Sequence, residues 1–310
     1  MSWDNVLVGE QAQAAFLSWQ ELHPPNLDYP KSFHSEVSLE MAMFLAEPAE
    51  VQITYEVESD TILHDGHSFE ANAEVTIEAL GYQIGGHFDL NVQPQEVAIR
   101  LRDPAYMGPL VMDLPTGYHL SGDCVGDSFQ LLQEALEEAM ATNPVSFLAN
   151  SARSQDVWRD LIGPSAILHP NFFPSAVMNV PGTRADRWEI RDGVVYVEYR
   201  SDPSQEPASK EGDVHFDGIA FKSSFDYDTG ETRSLNVVMV MNPQEVDRLR
   251  LTYDFQFSEI QTEPAKFNLA DEDSVLDLNP YYHLIKEGRR DEIKEQFFKD
   301  LEALDQDFSF

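Results

Sequence analysis

Between Glu36 and Leu101 apolar and polar residues alternate with a period of two, and this pattern leaves little choice of backbone. Successive side chains of a strand point to opposite faces, so such a run makes a sheet with one apolar face. Val37, Leu39, Met41 and Met43 alternate with Glu36, Ser38, Glu40 and Ala42, and Val51, Ile53, Tyr55 and Val57 with Gln52, Thr54, Glu56 and Glu58. Phe69, Ala71, Ala73, Val75, Ile77 and Ala79 then oppose Glu70, Asn72, Glu74, Thr76 and Glu78. Ile84, Phe88 and Leu90 oppose His87 and Asp89, and Val97, Ile99 and Leu101 close the series. The connections at His64-Asp65-Gly66-His67, Gly81-Tyr82 and Gln93-Pro94 are short enough for an antiparallel meander.

The second half resumes the theme. Val194 to Tyr199 reads as a strand apolar on both faces. Val214 to Asp226 and Glu231 to Met241 form a hairpin around Asp228-Thr229-Gly230, and Leu249, Leu251, Tyr253, Phe255 and Phe257 alternate as a further strand. Helical spacing appears in two places. Asp127 or Ser128 caps a central helix with Phe129, Leu132, Leu136 and Met140 on one stripe, followed by a short helix over 155–161. Asn279-Pro280 opens a C-terminal helix, interrupted near Gly288, whose stripe is Ile293, Phe297, Phe298, Leu301 and Leu304. The expected fold is α+β, predominantly antiparallel β-sheet, with a meander in the first half, hairpins in the second, a central helix and a C-terminal amphipathic helix. Residues 1–150 form an acidic meander plus helix and 151–310 a hairpin region with the C-terminal helix, as two domains or one continuous domain. The polar segment 201–213 reads as a surface excursion.

Charge separates the two halves. The chain carries 55 acidic and 20 basic residues, a formal net of -35. Residues 1–150 hold 24 acids against Lys31, Arg100 and Arg102, a net of -21. Such a surface repels nucleic-acid phosphate, so direct nucleic-acid binding is not expected. Glu70, Glu74 and Glu78 fall on one face of one strand at intervals of about 13 Å. Glu36, Glu40, Glu56, Glu58 and Asp89 share that face if the meander is right. A solvated face, a site for a basic partner (including mimicry of nucleic-acid phosphates) and adaptation to high salt are the three readings of these carboxylates.

An uncharged run of 23 residues, Leu161 to Thr183, stands out against this background. Pro164, Pro170, Pro174 and Pro181 break it too often for a membrane-spanning helix. It is either a connection packed across the core or a contact segment, with Ile167, Leu168, Phe172, Phe173, Val177 and Met178 as its contact side chains. His64, His67, His87 with Asp89, and His215 with Asp217 are candidate metal ligands, because residues i and i+2 of a strand share a face. Cys124, the single cysteine, precedes a helix with His119 five residues upstream, but Asp123 and Asp127 disfavour its thiolate. One cysteine excludes an internal disulfide, and the first residues lack the charged and apolar regions of a secretory leader, so a cytoplasmic or leaderless-exported protein is expected.

Nucleotide-binding, zinc-protease, serine-hydrolase and C-x-x-C motifs are all missing, and no cofactor is expected. The sequence therefore reads as a non-enzymatic interaction or assembly protein. It would present a carboxylate-rich sheet face and an apolar contact segment to a protein partner or another copy of itself. Its alternatives are a carrier of a lipid or other apolar ligand in a groove between long strands and a helix, a DNA-mimic inhibitor, and a metal-dependent enzyme.

Overall fold

The computed structural model describes residues 6–24, 27–44, 50–79, 81–103, 106–107, 110–111, 114–122, 124–125, 168–172, 184–200, 215–242, 248–289, 292–293, 295–296 and 299–300. The expected helix stripe at Phe129 to Met140, the short helix at 155–161 and most of the uncharged run lie outside these residues, as do Phe297, Phe298, Leu301 and Leu304.

The strands are β1 (Leu7–Val8), β2 (Lys31–Phe44), β3 (Glu50–Leu63), β4 (Phe69–Ala79), β5 (Tyr82–Gln93), β6 (Glu96–Leu101), β7 (Tyr106–Met107), β8 (Leu110–Val111) and β9 (Gly117–Ser121). They continue as β10 (Arg184–Arg191), β11 (Val194–Arg200), β12 (His215–Asp226), β13 (Thr232–Asn242), β14 (Arg248–Ser258) and β15 (Val275–Asp277). Two described helices accompany them, α1 (Glu10–Leu22) and α2 (Asn279–Lys286).

All fifteen strands belong to one open sheet, in the order β1-β10-β11-β12-β13-β14-β2-β3-β4-β5-β6-β9-β15, with β7 and β8 attached at β5. Every pairing is antiparallel except β15 on β9. The predicted meander is β2 to β6 and the predicted hairpin is β12–β13. Its turn is fixed by Asp226, whose carboxylate accepts the N–H groups of Asp228 and Thr229 at 3.1 and 3.0 Å, while Gly230 takes the left-handed φ of 74°. β14 pairs with β2 from Arg248 opposite Phe44 to Ser258 opposite His34, which makes strands from both halves of the chain neighbours in one sheet.

Cross-strand register makes the two faces continuous. One row runs Tyr199–Phe221–Val237–Tyr253–Leu39–Tyr55–Ile77–Ile84 across eight strands and is apolar throughout. Three residues along, the opposite face shows Gln256–Glu36–Glu58–Glu74–His87.

Helix α1 covers one end of the apolar face. Ala12, Phe16 and Trp19, at helical spacing, pack with Ala185, Trp188, Val195, Val197, Tyr199, Phe221 and Phe225 into the buried cluster. Burying each of the larger side chains contributes roughly 2–3 kcal/mol. Trp19 also donates its Nε1 proton to the Tyr227 carbonyl at 3.1 Å, so its one polar atom is satisfied.

At the other end, α2 begins after Leu278 and stops at Gly288, φ 71°, the expected interruption. Asn279 does not cap it. Its side-chain oxygen accepts from Ser121 N at 3.1 Å, tying the helix to the end of β9. Among the described residues no helix is long and apolar enough to cross a membrane.

Candidate functional site

The carboxylate face is not uniformly solvated, because the chain crosses it after β14. Residues 259–274 form a strap that runs from the β2–β3 side of the sheet to β9. It is pinned first at Asp60, whose two carboxylate oxygens accept the backbone N–H of Gln261 at 2.9 Å and of Thr262 at 3.1 Å. The Arg100 guanidinium then lies 4.9 Å over the Phe267 ring. At the far side Gly117 donates to Ser274 O at 2.8 Å, and a Cβ there would meet Leu269 Cδ2 at 2.9 Å and Val275 Cγ2 at 3.1 Å. Glycine is required at 117 for that approach.

Beneath the strap the row His34–Asp60–Asn72–Asp89–Arg100 is polar and largely buried. Asp89 is 1% exposed and carries two arginines. Arg100 donates Nε and Nη2 to its Oδ2 at 2.9 and 2.5 Å, and Arg102 donates Nε to its Oδ1 at 2.7 Å. These are two of the three bases in the first 150 residues. Among the described residues of the meander, Asp89 is the carboxylate paired with two arginines. The bonding to Asp89 raises the pKa of Arg102 further.

His34, 3% exposed, places Nδ1 3.0 Å from Asp60 Oδ1. A carboxylate already accepting two backbone N–H groups has only acceptor positions left, so Nδ1 is the donor. That leaves Nε2 buried without a hydrogen-bond partner, 3.8 Å from Glu36 Oε1 and 3.7 Å from Glu58 Oε1. A pocket of about 140 Å³ opens here, lined by His34, Glu58, Asp60, Asn72, Glu74, His87 and Arg102 among others. A second cleft of about 440 Å³ lies between the strap and β5, β6 and β9, with Asn91, Glu96, His119, Phe267 and Asn268 on its walls.

The register places Glu56, Glu58, Glu70, Glu74 and Glu78 on one face, with Glu70 half-buried and the other four exposed. The histidines do not gather. His87 sits between Glu74 Oε2 at 3.0 Å and Asp103 Oδ2 at 3.1 Å, while Asp89 is taken by the arginines. His64 is 3.5 Å from Glu70, and His67 belongs to a turn whose backbone N–H donates to Asp65. That bond leads the set holding the Asp65 carboxyl below its usual range. His215 and Asp217 lie on β12, six strands from β5 and so about 29 Å along the sheet at roughly 4.8 Å per strand, with Asp217 in a bulge. Among the described residues no group of three His, Cys, Asp or Glu could hold a metal ion. Cys124 is buried and meets His283 Nε2 at 3.7 Å, not His119, which is 3.3 Å from Glu96.

Of the uncharged run, Leu168 is exposed and Phe172 half-buried, while Ile167, Phe173, Val177 and Met178 lie outside the described residues. The segment 168–172 docks beside the start of β13, where Asn171 Oδ1 accepts from Thr232 N and Oγ1 at 3.0 and 2.8 Å. His169 is 2% exposed, and burial pushes its imidazole down to about 4. His34, Asp60 and the strap went unread in the sequence. Asp89 with its arginines left a signal, since Arg100 and Arg102 sit at strand spacing in an otherwise base-free stretch from Lys31.

The apolar face has its own gradient. Within the eight-strand row Tyr199 and Phe221 are 3% and 5% exposed, whereas Tyr55 and Ile84 reach 36% and 38%. The residues between, Val237, Tyr253, Leu39 and Ile77, are half-buried. The cluster anchored by α1 reaches to β12 and the apolar face continues for another six strands, buried toward one end at Phe33, Leu63, Ala71 and Val92 and more exposed along this row.

No protein-family model and no curated protein matches the chain. Among solved structures it is similar to a LolA superfamily protein from Nitrosomonas europaea, at 11% identity over 82% of this chain and 94% of that one, with a TM-score of 0.21. A beta-barrel-like protein of a domain of unknown function from Brucella abortus follows, at 7% identity over 74% and 98%, with a TM-score of 0.16. These TM-scores are too low to assign the chain to either fold.

Proposed function

We propose that the protein is a non-enzymatic carrier of an elongated apolar ligand, a fatty-acyl chain or a molecule built like one, lying across the apolar face of β14, β2, β3, β4 and β5. One observation carries this reading: the row Tyr253–Leu39–Tyr55–Ile77–Ile84 continues the buried core row without a break in character, yet its exposure rises to 38% at Ile84. Exposed apolar surface of this extent is costly in water and usually marks a contact site. Four strand steps make the strip about 19 Å wide, room for an extended acyl chain. The carboxylates of the opposite face keep the loaded protein dispersed and electrostatically away from anionic headgroups.

The interaction reading instead gives the carboxylate face and the apolar segment that includes Leu168 and Phe172 to a protein partner or a second copy. Extraction of the purified protein followed by lipid mass spectrometry, with native mass spectrometry of the intact chain, separates the two. Stoichiometric co-purifying lipid on a monomer supports the carrier. A lipid-free dimer or hetero-complex refutes it.

A further inference from the structure

We propose that residues 168–172 form an acid-sensitive latch: a proton taken up by His169 breaks its hold on Asn171 and frees the segment from the β12–β13 turn. The proposal is independent of the apolar-ligand reading. His169 is 2% exposed, and its Nδ1 accepts the backbone N–H of Asn171 at 3.1 Å. A backbone amide can only donate, so Nδ1 carries a lone pair and the proton of the neutral ring sits on Nε2. An imidazolium donates from both nitrogens, which would set N–H against N–H at this contact. The bond cannot survive the added proton. What it holds is a clamp, since Asn171 Oδ1 accepts from Thr232 N at 3.0 Å and Thr232 Oγ1 at 2.8 Å, and Thr232 is 5% exposed at the start of β13. Phe172 N donates to His169 O at 2.9 Å, closing the segment into one tight turn. Displacing Asn171 therefore takes the acceptor from both donors of a buried threonine.

The groups facing the ring are Tyr29, edge-on at 5.8 Å between ring centroids, Asp28 and Lys31 from the same stretch of chain, and Glu231 from the turn. Burial, aided by the Lys31 charge, keeps the ring neutral against the pull of the Asp28 backbone and of the Asp28 and Glu231 carboxylates. Lys31 is itself bonded to Glu231, which ties the start of β2 to the same turn. The second histidine at this turn is placed differently. His23, just after α1, has Nδ1 3.1 Å from Trp19 O and Nε2 3.1 Å from Asp228 O, so a proton added there meets an acceptor and breaks no bond. Acid thus loosens the latch while leaving α1 on the turn.

The test is amide exchange of the full chain, corrected for intrinsic rates and followed at pH 7.5 and 5 over a series of low urea concentrations. With the ring at about 4 in the closed latch and 6.5 once released, the equilibrium shifts about thirtyfold toward the open form between the two conditions. Asn171 and Thr232 should lose that factor in protection and show no urea dependence, as amides exposed by local opening do. Val195 and Val197, in the buried cluster, should exchange with the urea dependence of global unfolding. In His169→Gln the loss at Asn171 and Thr232 should shrink to within threefold. Protection unchanged by pH, a urea dependence equal to that of Val195, or the full loss retained in His169→Gln overturns the latch. Nitrogen NMR of the wild type decides the matter if that variant does not fold, because a His169 ring that titrates near 6.5 in the folded chain overturns the latch as well.

Discussion

His34 on β2 and Asp60 on β3 are directly opposite in register and joined by a 3.0 Å hydrogen bond, and the same carboxylate anchors a strap that arrives 201 and 202 residues later. One side chain therefore couples three separate segments. The strap covers this end of the carboxylate face, where His34, Asp60 and Asp89 are buried and Arg100 is half-buried, while Glu36, Glu56, Glu58 and Glu74 on the same face are exposed.

Replacing Asp60 with asparagine would leave three donors, His34 Nδ1–H and the amides of Gln261 and Thr262, facing one acceptor oxygen. At least one buried donor loses its partner, and the remaining bonds lose their charge. A cost of about 2–3 kcal/mol is expected in urea unfolding. Amide exchange at Gln261 and Thr262 should speed at least tenfold, whereas the Phe16 and Trp19 amides in α1 should be unchanged. Uniform acceleration across the protein would show that the strap is not a separate unit.

Asp89→Ala tests the arginine pair. Removing a carboxylate that is 1% exposed leaves two guanidinium groups side by side, and breaking a buried ion pair from one side costs about 3–5 kcal/mol. Arg102→Ala should cost less, about 1–2 kcal/mol, because Arg100 still neutralises Asp89 through two bonds to Oδ2 while Oδ1 loses the Arg102 bond. Denaturant midpoints of the two variants check the order. Equal losses would mean that Asp89 is not the shared centre.

What the sequence revealed follows from what has a period. The meander β2 to β6, the β12–β13 hairpin and β14 are long alternating runs, and their faces follow from parity alone. Helix α1 was not legible in the same way. Its buried face rests on Ala12, Phe16 and Trp19, one of them an alanine, and Gly9 caps it without a side-chain hydrogen bond. The strap has no period at all, being held by backbone amides on Asp60, one ring under Arg100 and a missing Cβ at Gly117. Contacts between residues two hundred positions apart leave no local trace, so the carboxylate face was readable as a face but not as a partly covered one.

His169 gives a pH dependence with a definite sign. Burial lowers its folded pKa from 6.5 to about 4, so between those values the unfolded chain takes a proton that the folded chain refuses. Its neutral form is therefore fully stabilising above about pH 6.5, and stability falls as the pH drops toward 4. At pH 5 the loss is about 2 kcal/mol. Urea unfolding of wild type and His169→Gln at pH 7.5 and 5 isolates it from the many carboxylates. The wild type should lose about 2 kcal/mol more than the variant between the two conditions, and parallel losses would refute the assignment.

On the apolar face, Ile77→Glu places a charge in the middle of the half-buried row between Tyr55 and Ile84. The site is open enough for the carboxylate to reach water, so the stability loss should be about 1 kcal/mol. Val195→Glu, in the fully buried cluster under α1, should prevent folding. If the face carries an apolar ligand, bound lipid in Ile77→Glu falls at least tenfold with circular dichroism unchanged. Lipid retained at the wild-type level would place the ligand elsewhere.

Glu36, Glu58 and Glu74 stand directly opposite one another on three adjacent strands, an arrangement that costs stability in the absence of a cation. Glu58 is the middle member and feels repulsion from both sides. Glu58→Gln should therefore raise the stability of the protein by about 0.5 kcal/mol at low salt, and the gain should shrink as added salt shortens the screening length. Thermal unfolding of both proteins at 20 mM and 500 mM salt reads the difference. A variant less stable than the wild type at low salt would mean that Glu58 is held by favourable contacts, and that the three carboxylates are not a repulsive row.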